Sequence, residues 1–102
     1  MSPMSYSKLK FNSIKKKALP VLRRHRVKRA AIFGSVARGT ATRKSDVDFL
    51  IEYGDKNKTL FDLVDLKSEL EEVLGGKVDI LTYKSINSKL RDSILAEQIP
   101  IL

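Results

Sequence analysis

Between Ser7 and Arg24 apolar residues return every third or fourth position, at Phe11, Ile14, Ala18, Leu19 and Leu22. That period predicts a helix with one buried stripe. Pro20 falls inside it. A proline there lacks the N–H that bonds one turn back and crowds the preceding carbonyl, so a kink or break is expected near Leu19. The pattern then shortens. Ala30, Ala31, Ile32 and Phe33 are consecutive apolar residues, as in a strand covered on both faces, and Val27 to Phe33 reads as that strand. Gly34 ends it, Ser35 to Arg38 reads as one helical turn closed by Gly39, and Thr40 to Ser45 as polar loop. From Asp46 to Glu52 the pattern alternates. Asp46, Asp48 and Leu50 share one face and Val47, Phe49 and Ile51 the other, so a second strand carries two acids above an apolar underside.

Thr59 is placed to cap a helix over Leu60–Leu74, with Leu60, Leu63, Val64, Leu66, Leu70, Val73 and Leu74 as its stripe and Gly75-Gly76 as its stop. Lys77 to Thr82 reads as a third strand, with Val78 and Ile80 on one side and Asp79 and Leu81 on the other. Ser85 or Asn87 is positioned to cap a last helix running to about Gln98, and Pro100 is expected to end regular structure. Residues 1–6 read as a frayed leader. The 102 residues suit one domain, 1–102, with a single core.

Composition narrows the chemistry. There is no cysteine, which excludes disulfides, thiol catalysis and zinc–thiolate sites, and a single histidine argues against a histidine metal cluster or a Ser-His-Asp triad. No apolar run approaches the roughly 18 residues of a membrane-spanning helix, and no secretory signal is visible, so no membrane association and a cytoplasmic location are expected. The net charge of +8 is unevenly spread: residues 1–29 hold ten Lys or Arg and no acid, while the remainder is slightly acidic. Such a segment is either a solvated helix face or a footprint for an acidic partner or nucleic acid. No aromatics interleave its bases as a stacking platform would need.

The chemistry gathers between Phe33 and Ile51. Aspartates two apart on a strand, Asp46 and Asp48, project from the same face and can converge on one ion. Left unpaired they repel, and Mg²⁺ relieves that repulsion because it takes oxygen ligands alongside water and phosphate. Asp79, central in the third strand, is the natural third carboxylate for a two-metal arrangement on a nucleoside triphosphate. Gly34 permits a sharp turn and close ligand approach, the turn after it offers free N–H groups to an anion, and Ser35 adds a hydroxyl. Arg38, Arg43 and Lys44 are near enough in sequence to reach phosphates.

Gly34-Ser35, ten intervening residues and Asp46-Val47-Asp48 resemble the signature of the polymerase-beta-like nucleotidyltransferase superfamily. The fuller run GSVARGTATRKSDVDFLI, with Phe33 before it, Arg38-Gly39 and Ser45 within it, and Val78-Asp79-Ile80 and the Arg91–Glu97 helix after it, is similar to the minimal nucleotidyltransferase (MNT) family. The resemblance covers nearly the whole chain. It implies an α/β fold, a small mixed β-sheet backed by helices. It implies Asp46, Asp48 and Asp79 as catalytic metal ligands for two Mg²⁺ ions, and Gly34, Ser35, Arg38 and Ser45 as the nucleotide-binding residues. It also implies ATP as donor and transfer of AMP to a tyrosine of a HEPN-type toxin, in a toxin–antitoxin pair. Phe49 departs from the family's commoner aliphatic residue. Such domains carry no attached substrate-binding domain, so the acceptor must bring its own surface.

Two other readings stand beside the enzyme: an antitoxin that blocks its partner by occupancy alone, and a nucleic-acid-binding module acting through the basic first helix. Outside the central stretch, His25 reads as an ordinary surface residue, Tyr53 and Tyr83 as strand-end packing or base-stacking groups, Asp62 and Asp65 as solvated helix acids, and Asp55 as a loop acid.

Overall fold

The computed structural model describes residues 6–102. Helix α1 spans Tyr6–Arg24 and is followed by strand β1, Val27–Phe33, the short helix α2, Gly34–Arg38, and strand β2, Val47–Tyr53. Helix α3, Leu60–Leu74, strand β3, Val78–Thr82, helix α4, Arg91–Glu97, and the two-residue strand β4, Ile99–Pro100, complete the order. Among the described residues four strands form one sheet in the order β3-β2-β1-β4. β1 is antiparallel to both β2 and β4, whereas β2 and β3 are parallel, so the sheet is mixed as the resemblance implied.

The four consecutive apolar residues of β1 explain the layering. Ala30 and Ile32 face one core, with Val47, Phe49 and Ile51 of β2, Val78 of β3, Ile14, Ala18, Val21 and Leu22 of α1, and Leu66 and Leu70 of α3. Ala31 and Phe33 face the other, with Leu50, Ile86 and Ile94. α1 and α3 thus cover one face of the sheet. A smaller cluster from α4 and the segment before it covers part of the opposite face, the face to which Asp48 belongs by its alternation with Leu50.

Several local expectations change. The leader lies outside the described residues except for Tyr6, which opens α1. α1 continues through Pro20 without a break. Pro20 and Lys16 are exposed, so the carbonyl that loses its partner can be hydrated. β2 begins at Val47 rather than Asp46, and β3 at Val78 rather than Lys77. The last helix is far shorter than expected. Tyr83–Ser85 forms a 3-10 turn, in which the Ser85 hydroxyl accepts from Thr82, and the Asn87 side chain accepts from the Lys89 N–H. These residues therefore satisfy their own turns, and α4 starts only at Arg91. Pro100 does not end regular structure. It pairs opposite Ala31 in β4, an edge position where a missing N–H is tolerated, and Ile101 and Leu102 donate to the Ala30 carbonyl just beyond it.

Two acid–base partners also differ. His25 is half-buried and its Nε2 lies against Glu69, which also pairs with Arg24, so α1 and α3 are tied together there. Asp62 closes a capping box: its carboxylate accepts from the Thr59 N–H at 2.7 Å and from the Thr59 hydroxyl at 3.1 Å. Those bonds to Thr59, chiefly the backbone one, hold its pKa below the ordinary carboxylate value. The α3 stripe is only half used. Leu66 and Leu70 are buried, but Leu60, Val64 and Val73 are exposed, as is Phe61. Among the described residues no helix is long and apolar enough to cross a membrane.

Candidate active site

β1 delivers the chain to Gly34 in extended form, and Gly34 then turns with φ +75°. Only glycine takes that conformation without strain. A second constraint comes from across the turn. A Cβ on Gly34 would lie 2.1 Å from Oδ2 of Asp48 and 3.0 Å from its Cγ, so the Asp48 carboxylate is packed directly on the glycine. The register agrees, since Phe33 stands opposite Asp48 in the β1–β2 ladder. α2 ends at Gly39, whose φ of 80° lets its N–H return to the Val36 carbonyl, while the Thr40 N–H reaches Ser35.

Asp48 and Asp79 are paired at the same level of the parallel β2–β3 ladder. Adjacent strands are about 4.8 Å apart, so their side chains emerge side by side on the face they share. Asp48 is half-buried and Asp79 is exposed on the outer strand. Asp46 lies one residue before β2 and is also exposed. Burial lifts the Asp48 pKa from 3.8 to about 6; the negative charges of Asp79 and then Asp46 push the same way, Arg38 opposes them, and Glu97 adds a further push. Asp46 therefore acts on Asp48 electrostatically, although it stands outside the strand expected to hold it. Among the described residues, no three acidic or imidazole side chains stand close enough to cage an ion by themselves. The pair Asp48–Asp79 still fits a divalent cation by two criteria. The donors are all carboxylate oxygens, and around ionised Asp48 the negative charges of Asp79, Asp46 and Glu97 outnumber the single positive one of Arg38. A Mg²⁺ that keeps water and phosphate oxygens needs few protein ligands.

Beside the pair runs a cleft of about 420 Å³, walled by Phe33, Asp48, Asp79, Ile80 and Leu81 of the sheet and by Leu63, Val64 and Lys67 of α3. The remaining expected site residues are placed less simply. Ser35 is half-buried at the turn. Ser45 is engaged in its own loop: its hydroxyl accepts from the Thr42 N–H at 2.8 Å, and its carbonyl accepts from Lys10 Nζ at 3.1 Å. Arg38 is turned toward Glu97, 3.2 Å away. Glu97 also takes the Gly34 N–H at 2.9 Å, so that N–H is not free as the sequence suggested. No role was read for Glu97 or Lys67 in sequence. For Glu97 one signal existed: an acid at the last residue of a helix is disfavoured by the helix dipole, which points to a partner elsewhere.

Residues 14–102 match the nucleotidyltransferase domain family. A protein of Methanocaldococcus jannaschii whose name assigns it to the protein adenylyltransferases, MJ0435, is 53% identical over 94 residues, which are 92% of this chain and 100% of that protein. A solved structure described as a minimal nucleotidyltransferase superposes with a TM-score of 0.75 at 37% identity, covering 98% of this chain and 99% of its own. The MNT antitoxin fold also matches in a Shewanella oneidensis complex with a tri-AMPylated HEPN toxin. There the TM-score is 0.68 at 17% identity, over 89% of this chain and 71% of the other.

Proposed function

The chain belongs to the nucleotidyltransferase domain family, and on that premise we propose that it moves AMP from ATP onto a tyrosine hydroxyl of a HEPN-type partner, acting as that partner's antitoxin. The observation that carries this reading is the pairing of Asp48 with Asp79 across parallel strands while Asp48 rests on Gly34. On this reading acid pair and glycine turn form one site. The name of the M. jannaschii relative and the AMPylated toxin in the S. oneidensis complex support a nucleotidyl transfer to protein.

Asp46, Asp48 and Asp79 would hold Mg²⁺, in two ions on this reading, and Gly34, Ser35, Arg38 and Ser45 would face the nucleotide. Bound Mg²⁺ supplies charge neutralisation of the triphosphate and makes a hydroxyl more acidic. The chain's own residues do the rest. The Gly34 and Ser35 donors orient the phosphates, and Arg38 offsets their charge. The tyrosine oxygen bonds the α-phosphorus, the bond from that phosphorus to the β-phosphate bridging oxygen breaks, and pyrophosphate leaves. The phenolic proton passes to Asp79, which is exposed and can accept it at a carboxylate oxygen.

The test is transfer of label from α-labelled ATP to the purified partner in the presence of Mg²⁺. Asp48→Asn and Asp79→Asn should each lower transfer by about 100-fold or more. Wild-type transfer by Asp48→Asn would sink the reading. One observation favours a second reading, neutralisation by occupancy: Leu60 and Phe61 at the start of α3 are 78% and 84% exposed, an apolar strip suited to a protein surface. Neutralisation of the partner with no label on it would favour that alternative.

A further inference from the structure

Resting on the reading of Gly34, Ser35 and Arg38 as the triphosphate seat, we propose that Glu97 is a built-in occupant of that seat, an internal carboxylate that holds the phosphate donors until the nucleotide displaces it. Oε1 of Glu97 accepts the Gly34 N–H at 2.9 Å. The same carboxylate meets Nη1 of Arg38 at 3.3 Å and 3.2 Å through its two oxygens. A backbone amide and a guanidinium converging on one anion is the donor set that a phosphate oxygen takes. Here it is filled from 63 residues away in sequence.

Nothing in α4 itself accounts for the position. Glu97 ends that helix, whose last turn has no base, and its charge opposes the negative end of the helix dipole. It also adds to the repulsion around Asp48. The placement is favourable only because of the two donors. The hold is a light one, because Arg38 is 53% exposed and Glu97 25%, and partly solvated ion pairs contribute little net stability. Rotation of the Glu97 side chain vacates the seat without moving the backbone. Nucleotide affinity is then reduced by the fraction of molecules in which Glu97 sits in place.

The experiment titrates wild type, Glu97→Gln and Glu97→Ala with the Mg²⁺ complex of a non-hydrolysable ATP analogue by calorimetry, and follows the Gly34 amide by NMR in the same samples. Both variants should bind about 3- to 10-fold more tightly than wild type. In the free proteins the Gly34 amide should lie downfield in wild type relative to Glu97→Ala, and saturation with analogue should remove most of that difference. Equal or weaker binding by both variants, with native melting curves, would overturn the proposal and leave Glu97 a brace for the turn; so would identical Gly34 shifts in free wild type and Glu97→Ala. Glu97→Gln, nearly isosteric, guards against a folding artefact. If wild type and variants all fail to bind the analogue, the seat itself is wrongly read and the Glu97 proposal falls with it. If wild type binds and the variants gain nothing, only Glu97 is wrongly read.

Discussion

Gly34 and Asp48 are best treated as one unit, because the carboxylate of the second occupies the space where a side chain of the first would begin. Gly34→Ala should therefore cost about 2–4 kcal/mol, combining left-handed strain with a direct overlap. Adding Asp48→Ala should recover the overlap part and leave about 1–2 kcal/mol of strain. Chemical denaturation of the two singles and the double checks this; simple additivity would mean that the contact carries no energy. Asp48 also sets a pH dependence. Its pKa rises from 3.8 to about 6 in the folded chain, so between those values the native state binds the proton more tightly than the unfolded state. Stability from this group is accordingly gained as pH falls through 6 toward 4 and lost as pH rises. Thermal melts in chelator should show Asp48→Asn more stable than wild type by a few degrees at pH 7.5, with the gap closing by pH 4.5. A gap that stays constant across this range would show that Asp48 titrates normally.

Among the elements, the joint between α1 and β1 is the one built against local preference. Arg26 sits at φ 61°, a left-handed position normally given to glycine, and its N–H closes on the Arg23 carbonyl at 3.0 Å. Its neighbours keep it there: the Arg26 carbonyl accepts from Gly54, and His25 and Arg24 both lie on Glu69 of α3. Arg26→Gly should stabilise the chain by about 1 kcal/mol, read as a shift in the denaturation midpoint at unchanged slope. Loss of stability would mean that the arginine side chain makes a contribution larger than the strain. At the other end of the chain, β4 shows the reverse situation. Ile99 favours a strand but Pro100 does not, and β1 sets the conformation of this two-residue segment by pairing with it.

For the whole molecule, what could be read in advance was whatever has a short period. The alternation from Val47 to Ile51 placed Asp48 above an apolar underside, the unbroken run Ala30–Phe33 required two covered faces, and both features stand in the sheet. Asp79 between Val78 and Ile80 fell into line with Asp48 because parallel pairing happens to align them. Features that depend on distant partners were invisible. Two residues are too few to show a period, so β4 was missed. Glu97 meets Gly34 only after the chain has crossed the sheet, so its place at a helix end hints at a distant partner without identifying it. The exposed side of α3 differs from expectation because Leu60, Val64 and Val73 have the spacing of a buried stripe, yet none of the described residues buries them.

One consequence follows from Asp79 standing on the outermost strand. The cleft beside Asp48 and Asp79 opens sideways at a rim instead of downward into a tunnel, so on the proposed reading an acceptor far too bulky to be swallowed can still present a single side chain to it. The same openness means that the described residues place no cover over it against bulk water. On the proposed reading the partner therefore acts as the roof as well as the recipient, and productive transfer becomes tied to the quality of its fit.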